Sequence, residues 1–121
     1  MGRDRNRELI AEYPWLDIGD KQFTLLDTLP MGWSGLILDM CKEIKQVLPK
    51  ELVAKYQVIE AKEKWYGLSW YDALSDLSPM PSTITDIVCK YEMRSKEVCM
   101  MCGAPKPKDQ LLCDRCMERY R

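Results

Sequence analysis

The sequence predicts a small α+β protein that combines two amphipathic helices, a β-hairpin and a cysteine-rich C-terminus. Three observations support this prediction: a helical period over residues 33–48 and again over 83–98, a period of two over 56–71, and two Cys-Xaa-Xaa-Cys pairs after residue 98. The 121 residues suffice for one domain with a modest core. A hydrophobic content of 46% with 31% charged residues is typical of globular proteins and argues against disorder.

The first predicted helix covers residues 33–48. Apolar side chains recur there at spacings of three and four, as one face of an α-helix requires. They are Trp33, Ile37, Cys41, Ile44 and Leu48. Pro49 ends the pattern because proline lacks a backbone N–H and fits poorly inside a helix. Upstream, residues 4–12 form a short segment of mixed charge that stops before Pro14, and we expect residues 13–32 to form an irregular arm packed on the core.

The hairpin is predicted over residues 56–71. Apolar and charged residues alternate there, so Ile59, Ala61 and Trp65 are expected on one face of the first strand. Gly67 interrupts the run and places the turn between Trp65 and Gly67. We expect the aromatic rings of this segment to fill the core and its edge. Lysines interleaved with aromatics are also typical of surfaces that stack the bases of single-stranded nucleic acid.

A second helix is predicted to begin near Ser82 or Thr83, after a proline-containing loop over residues 75–82. Its apolar stripe again follows the helical period. The stripe consists of Ile84, Ile87, Val88, Tyr91 and Val98. The helix continues directly into Cys99 with no linker, so we expect the C-terminal segment to be packed on the core.

The C-terminal cysteines have the spacing of metal ligands. Cys99 and Cys102 form the first pair, and Cys113 and Cys116 form the second after ten intervening residues. Two residues between cysteines let both sulfurs of a pair reach one tetrahedral ion at about 2.3 Å. Gly103 suits the tight turn after the first pair. A redox pair, an iron–sulfur cluster and disulfides are alternatives, but the βαβ pattern of redox proteins is missing and this spacing is typical of zinc.

The absence of histidine defines the ligand set more closely. Because the chain contains no histidine, all four ligands are expected to be thiolates. Four protein ligands fill a tetrahedral site and leave no position for water or substrate. We therefore predict one structural zinc ion, in a module over residues 99–121 that packs on an α+β core over residues 1–98. The four predicted ligands are Cys99, Cys102, Cys113 and Cys116.

The remaining residues do not indicate catalysis. Cys41 lies in the apolar stripe of the first helix and Cys89 lies beside that of the second, and no histidine is present to activate either thiol. The sequence has no glycine-rich phosphate loop and no nucleophile elbow. We expect a protein that is not an enzyme.

Charge and hydropathy indicate a compartment and exclude some partners. No apolar run approaches the roughly 18 residues that span a bilayer, and the first 20 residues lack the apolar stretch of a signal peptide. We therefore expect a cytoplasmic protein with reduced cysteines.

The charge is unevenly distributed along the chain. Residues 1–89 carry 10 basic and 14 acidic side chains, whereas residues 90–121 carry 8 and 5. A metal-bound cluster of four thiolates would add about −2 to the basic segment. Direct nucleic-acid binding and membrane association are therefore not expected.

Several stretches of the chain are similar to small proteins of bacterial phages and prophages. The similarity covers roughly residues 32–103, and the family pattern contains an aromatic-Gly-Gly-Leu turn and a Cys-Xaa-Xaa-Cys-Gly motif. In this chain Tyr66 replaces the first glycine of that turn. The matching stretches are Gly32-Trp33, residues 38–44, residues 56–58, residues 62–71 and residues 98–103. The resemblance implies that Cys99 and Cys102 are zinc ligands, whereas the second pair is assigned as ligands from its spacing alone.

Some zinc-binding phage proteins of this size resemble anti-CRISPR inhibitors of type II effector nucleases. The resemblance implies a stoichiometric inhibitor that binds the nuclease in the host bacterial cytoplasm and blocks its DNA loading or cleavage. Met100 and Met101 would either cover a helix end or form an adaptable patch for such a partner protein. The alternative is a zinc-containing nucleic-acid-binding regulator of transcription or replication that uses the segment from Lys62 to Tyr71.

Overall fold

A computed structural model describes residues 2–20, 22–73 and 82–119 of the chain. Its helices are α1 (Gly2–Glu12), α2 (Ser34–Val47), α3 (Lys50–Val53), α4 (Ser82–Ser95) and α5 (Asp114–Arg119). Strands β1 (Val58–Lys64) and β2 (Gly67–Asp72) form an antiparallel hairpin. The predicted α+β class is confirmed. The proline-containing loop predicted over 75–82 lies almost entirely outside the described residues.

Helix α2 is the centre of the hydrophobic core. Its predicted apolar stripe is confirmed, since Ile37, Cys41 and Ile44 are fully buried and Leu48 is nearly so. Met40 joins the buried set. Removing this apolar surface from water stabilises the fold by about 25 cal/mol per Å². No helix in the described ranges is long and apolar enough to cross a membrane.

The arm over residues 13–32 is irregular, as predicted, and it is built from short helical turns. Three 3-10 turns cover Pro14–Leu16, Leu25–Thr28 and Met31–Trp33. The second turn is capped by the Asp27 carboxylate, which accepts a hydrogen bond from the Thr24 backbone N–H at 2.6 Å. Buried leucine and tryptophan side chains fix the arm to the core. They are Trp15, Leu16, Leu25, Leu26, Leu29 and Trp33.

Cys41 is a core thiol, as predicted. Burial raises its pKa to about 12, although the Trp15 indole N–H donates a hydrogen bond to its sulfur at 3.3 Å and acts in the opposite direction. At neutral pH the thiol is therefore protonated and unreactive.

The hairpin corrects two predictions made from the period of two. A β-bulge between Val58 and Glu60 leaves Ile59 out of the pairing, and its side chain is 59% exposed. Trp65 lies in the turn, outside the alternation of the strand, and is 76% exposed. Of the aromatic rings expected in the core, Trp70 is buried whereas Tyr71 faces solvent.

Helix α4 supplies hydrogen-bond acceptors to the edge of β2 that faces away from β1. The Ser95 hydroxyl accepts a hydrogen bond from the Leu68 backbone N–H at 2.6 Å, and the Glu92 carboxylate accepts one from the Trp70 backbone N–H at 2.8 Å. These bonds occupy backbone donors that β1 leaves unpaired. The hairpin is thereby fixed to the helix that leads into the cysteine cluster.

Glu43 on α2 contacts two residues of α4, and these contacts predict that the stability of the fold depends on pH. Its carboxylate accepts hydrogen bonds from the Lys90 ammonium at 2.7 Å and from the Tyr91 hydroxyl, and these bonds lower the pKa of Glu43 from its ordinary value of 4.5. A carboxyl whose pKa is lower in the folded chain than in the unfolded chain stabilises the fold at pH values above the unfolded pKa. This contribution is lost as the pH falls through the folded pKa. We expect Glu43→Gln to reduce stability at neutral pH by less than about 1 kcal/mol.

Melting temperatures of Glu43→Gln and the parent chain, measured from about pH 7 down to about pH 3, test this prediction. The difference between the two proteins should shrink below the ordinary carboxyl pKa. A difference that stays constant over the whole range would contradict it.

Candidate metal centre

The first cysteine pair lies on a tight turn that follows α4. The Cys99 backbone N–H donates to the Ala104 carbonyl at 2.8 Å, and the Gly103 N–H donates to the Cys99 carbonyl at 3.0 Å. Val98 and Pro105 form an antiparallel bridge across the base of this turn. Gly103 has a φ of 79°, a value that glycine adopts more easily than other residues. The turn confirms the role predicted for Gly103.

The second pair belongs to the start of α5. Cys113 directly precedes this helix and Cys116 lies in its first turn, with the Met117 N–H donating to the Cys113 carbonyl at 2.9 Å. Residues three apart on a helix lie on the same face, so both sulfurs point to one place. Helix α5 could not be predicted from the sequence because its six residues are too few to show a helical period.

The four thiol sulfurs form one compact cluster. All of them lie within 4.8 Å of one another, and the sulfurs of Cys102 and Cys113 are 3.7 Å apart. A tetrahedral zinc–thiolate site has sulfur–sulfur separations of about 3.8 Å. Three of the four side chains are buried and Cys102 is exposed. The cluster is thus a candidate metal centre, and the geometry and donor set fit one tetrahedral ion.

The protein environment favours a thiolate at Cys99. Burial raises its pKa, but hydrogen bonds from the backbone N–H groups of Cys102, Cys113 and Met101 outweigh burial and bring the pKa to about 6. At Cys116, burial and then the neighbouring thiols raise the pKa to about 12. Without a cation, four adjacent thiolates would repel one another, and a bound divalent ion removes this repulsion.

Gly32 brings the arm into direct contact with the first cysteine turn. Its N–H donates to the Met100 carbonyl at 2.8 Å, and the neighbouring Trp33 indole donates to the Val98 carbonyl at 3.0 Å. A Cβ atom at position 32 would stand 2.1 Å from the carbonyl oxygen of Cys99. Only glycine fits there. This contact could not be predicted from the sequence because its partners are more than 60 residues apart.

Lys106 connects the hairpin to the metal-centre segment. Its side chain is buried, and its ammonium donates to the carbonyls of Tyr66 at 3.3 Å, Pro107 at 3.2 Å and Lys96. Burial lowers the pKa of Lys106. The three acceptors match the three donors of an ammonium group, so the buried charge is satisfied. No sequence signal distinguishes this lysine from an exposed one.

An apolar groove of about 880 Å³ adjoins the metal centre. Helix α1, the arm, the first cysteine turn and the segment before Cys113 all contribute to its walls. The Met100 N–H donates to the Leu111 carbonyl at 3.1 Å, which joins two of these walls. The apolar residues that line it are Leu9, Phe23, Leu26, Leu29, Pro30, Met31, Met100, Met101, Leu111 and Leu112.

The fold and the site define a small α+β protein with a C-terminal four-cysteine centre packed on its core. Comparison with known proteins found no matching family model, no matching curated protein and no matching solved structure. The similarity to phage proteins therefore stays a prediction from the sequence.

Proposed function

We propose that this chain is a zinc-stabilised, non-enzymatic inhibitor that acts by binding another protein. The observation that supports the proposal best is the apolar groove beside the metal centre. Several large side chains at this groove face solvent: Met31 is 80% exposed, Phe23 51% and Met101 43%. A concentration of exposed apolar side chains around one concave surface is typical of interaction sites. Methionine side chains adapt their shape to a partner.

Zinc is the metal that this donor set favours. Four thiolates in tetrahedral positions suit zinc, and a site filled by protein ligands leaves no position for an activated water. The ion would act as a scaffold. By holding the Cys99–Cys102 turn, it would keep Met100 and Met101 against the arm at Gly32.

The groove best fits an amphipathic helix of the partner. The apolar lining of the groove suits the apolar face of such a helix, and helix insertion is a common way for proteins to bind apolar grooves. Within the described part of the chain, Arg5 and Asp27 are the two charged residues that line the groove. The Asp27 carboxylate accepts hydrogen bonds from the backbone N–H and the hydroxyl of Thr24, whereas Arg5 is exposed and available to a partner. We therefore infer that the partner helix carries an acidic residue that faces Arg5.

The similarity to phage proteins favours a type II CRISPR effector nuclease as the partner. The chain would bind this nuclease in the bacterial cytoplasm and block its DNA loading or cleavage. A reducing cytoplasm suits the proposal because it keeps the four thiols available for metal.

A cleavage assay with a guide-loaded type II effector nuclease tests this function. An excess of the zinc-loaded chain should stop target cleavage and should elute with the nuclease from a sizing column. Met31→Lys and Met101→Lys each place a charge in the groove, so they should weaken both effects at least about 10-fold.

Ile59→Lys is the matched control, since it adds the same charge at an apolar residue that is exposed outside the groove. It should inhibit like the parent chain. Full cleavage with no complex would reject the nuclease as the partner. A complex that both groove variants leave intact would reject the groove as the binding surface.

A further inference from the structure

A second concave surface lies between β2 and α4, beside the hairpin turn. This notch has a volume of about 400 Å³. Trp65 and Leu68 line it from the hairpin, and Cys89 and Met93 line it from α4. Its remaining lining residues are Lys64, Ser69, Glu92 and Lys96.

The turn that presents Trp65 has an unfavourable backbone conformation that its surroundings hold in place. Trp65 has a φ of 55° and Tyr66 a φ of 69°, values that bulky residues rarely adopt. The Glu63 carboxylate accepts the Tyr66 N–H at 3.0 Å, and Lys106 donates to the Tyr66 carbonyl. At Gly67 a Cβ atom would stand 2.7 Å from the Lys96 side chain. The turn is therefore fixed.

This fixed turn holds an aromatic ring in solvent. Trp65 is 76% exposed, whereas Trp15, Trp33 and Trp70 are each at most 5% exposed. Asparagine and glycine are the residues that usually occupy such a turn. The positive φ angles are those that a two-residue hairpin turn needs, but Trp65 and Tyr66 adopt them less easily than asparagine or glycine, and the exposed indole buries no surface. The choice of these two residues therefore points to a binding role.

Two cations accompany the indole. Within the described residues, neither Lys64 nor Lys96 forms an ion pair. The carboxylates nearby keep their charge but have other hydrogen-bond partners. Glu92 accepts the Trp70 N–H, Glu63 accepts the Tyr66 N–H, and Glu60 pairs with Lys62 at 2.7 Å. An exposed ring beside two unpaired ammonium groups matches a ligand that combines flat rings with negative charges.

We propose that the notch binds single-stranded nucleic acid, with one base stacked on Trp65 and two backbone phosphates contacted by Lys64 and Lys96. Base stacking on aromatic side chains tolerates any sequence, and phosphate contacts add affinity that depends on salt. The net charge of −1 limits the electrostatic contribution to this local pair of lysines. This binding is independent of the inhibitor function proposed above.

Anisotropy of a fluorescently labelled thymidine oligonucleotide, titrated with the zinc-loaded chain at low salt, tests the proposal. Trp65→Leu should weaken binding about 5- to 150-fold, which corresponds to the loss of one stacking contact, and Trp65→Phe should retain most of it. Two phosphate contacts predict a slope of about −1.4 for the logarithm of the binding constant against that of the salt concentration. Lys64→Gln and Lys96→Gln should each reduce the slope by about 0.7.

Lys50→Gln is the matched control, because Lys50 is exposed but does not line the notch. To separate binding from folding, the double variant Trp65→Asn with Tyr66→Gly should melt at or above the temperature of the parent chain and still lose binding. Three results would overturn the proposal: no anisotropy change at low salt, unchanged binding by Trp65→Leu, or equal competition by poly-glutamate, which would indicate an acidic protein as the ligand.

Discussion

Replacing Gly32 by alanine is expected to break the contact between the core and the metal centre. The added Cβ would stand 2.1 Å from the Cys99 carbonyl oxygen and 2.7 Å from the Met100 carbonyl carbon, and both obstacles are backbone atoms that cannot rotate away. The first cysteine turn must move, and the Gly32–Met100 hydrogen bond is lost. We expect destabilisation of about 3 kcal/mol or more, with zinc affinity reduced about 10- to 100-fold.

Gly35→Ala is the matched control for this prediction. Gly35 lies in α2 with nothing within 4 Å of the position that a Cβ would take. Alanine in a helix is favoured over glycine, so this variant should be neutral or more stable by up to about 1 kcal/mol. Urea unfolding and zinc competition with a chromophoric chelator measure both effects. Equal behaviour of the two alanine variants would refute the role of Gly32.

Replacing Cys99 or Cys113 by serine is expected to remove the metal and to lower solubility and binding activity together. Each change deletes one of four thiolates, and structural zinc in such a site supplies roughly 10 kcal/mol of binding free energy that is coupled to folding. The effect should extend beyond the C-terminal segment, because Met100 and Val98 accept hydrogen bonds from the arm. Chelation of the parent chain should produce the same loss.

Cys89→Ser is the control for the cysteine variants, since Cys89 is exposed and lies outside the cluster. It should bind metal and unfold like the parent chain. Thermal unfolding with and without chelator, followed by circular dichroism, distinguishes these outcomes. A Cys113→Ser variant that kept full stability and activity without metal would show that the centre is not a scaffold.

Local periodicity predicted most of the fold. The stripe of α2 from Ile37 to Leu48 is buried, and α4 begins at Ser82 as expected. The helix ends at Ser95, however, so Val98 lies beyond it and not in its stripe. The period of two located the hairpin but not the exposure of Ile59, because a bulge changes which residues face the core without altering the sequence pattern. Helices α3 and α5 are too short to be recognised by period.

The cysteines of the candidate site could be found from their spacing, but their supports could not. Gly32 and Lys106 act through contacts with residues far away in the sequence, and no local pattern indicates those contacts. The groove could not be predicted either, because its walls come from segments that are far apart in the sequence: α1, the arm and the cysteine segment. Such surfaces arise only when the chain has folded.

We propose that Cys99, Cys102, Cys113 and Cys116 hold one zinc ion as a scaffold. The decisive experiment is metal analysis of the protein purified without chelator, combined with its intact mass under native conditions. We expect one zinc per chain and a native mass higher by one zinc ion, with no disulfide. Iron accompanied by inorganic sulfide, or a folded metal-free chain with disulfides between these cysteines, would contradict it.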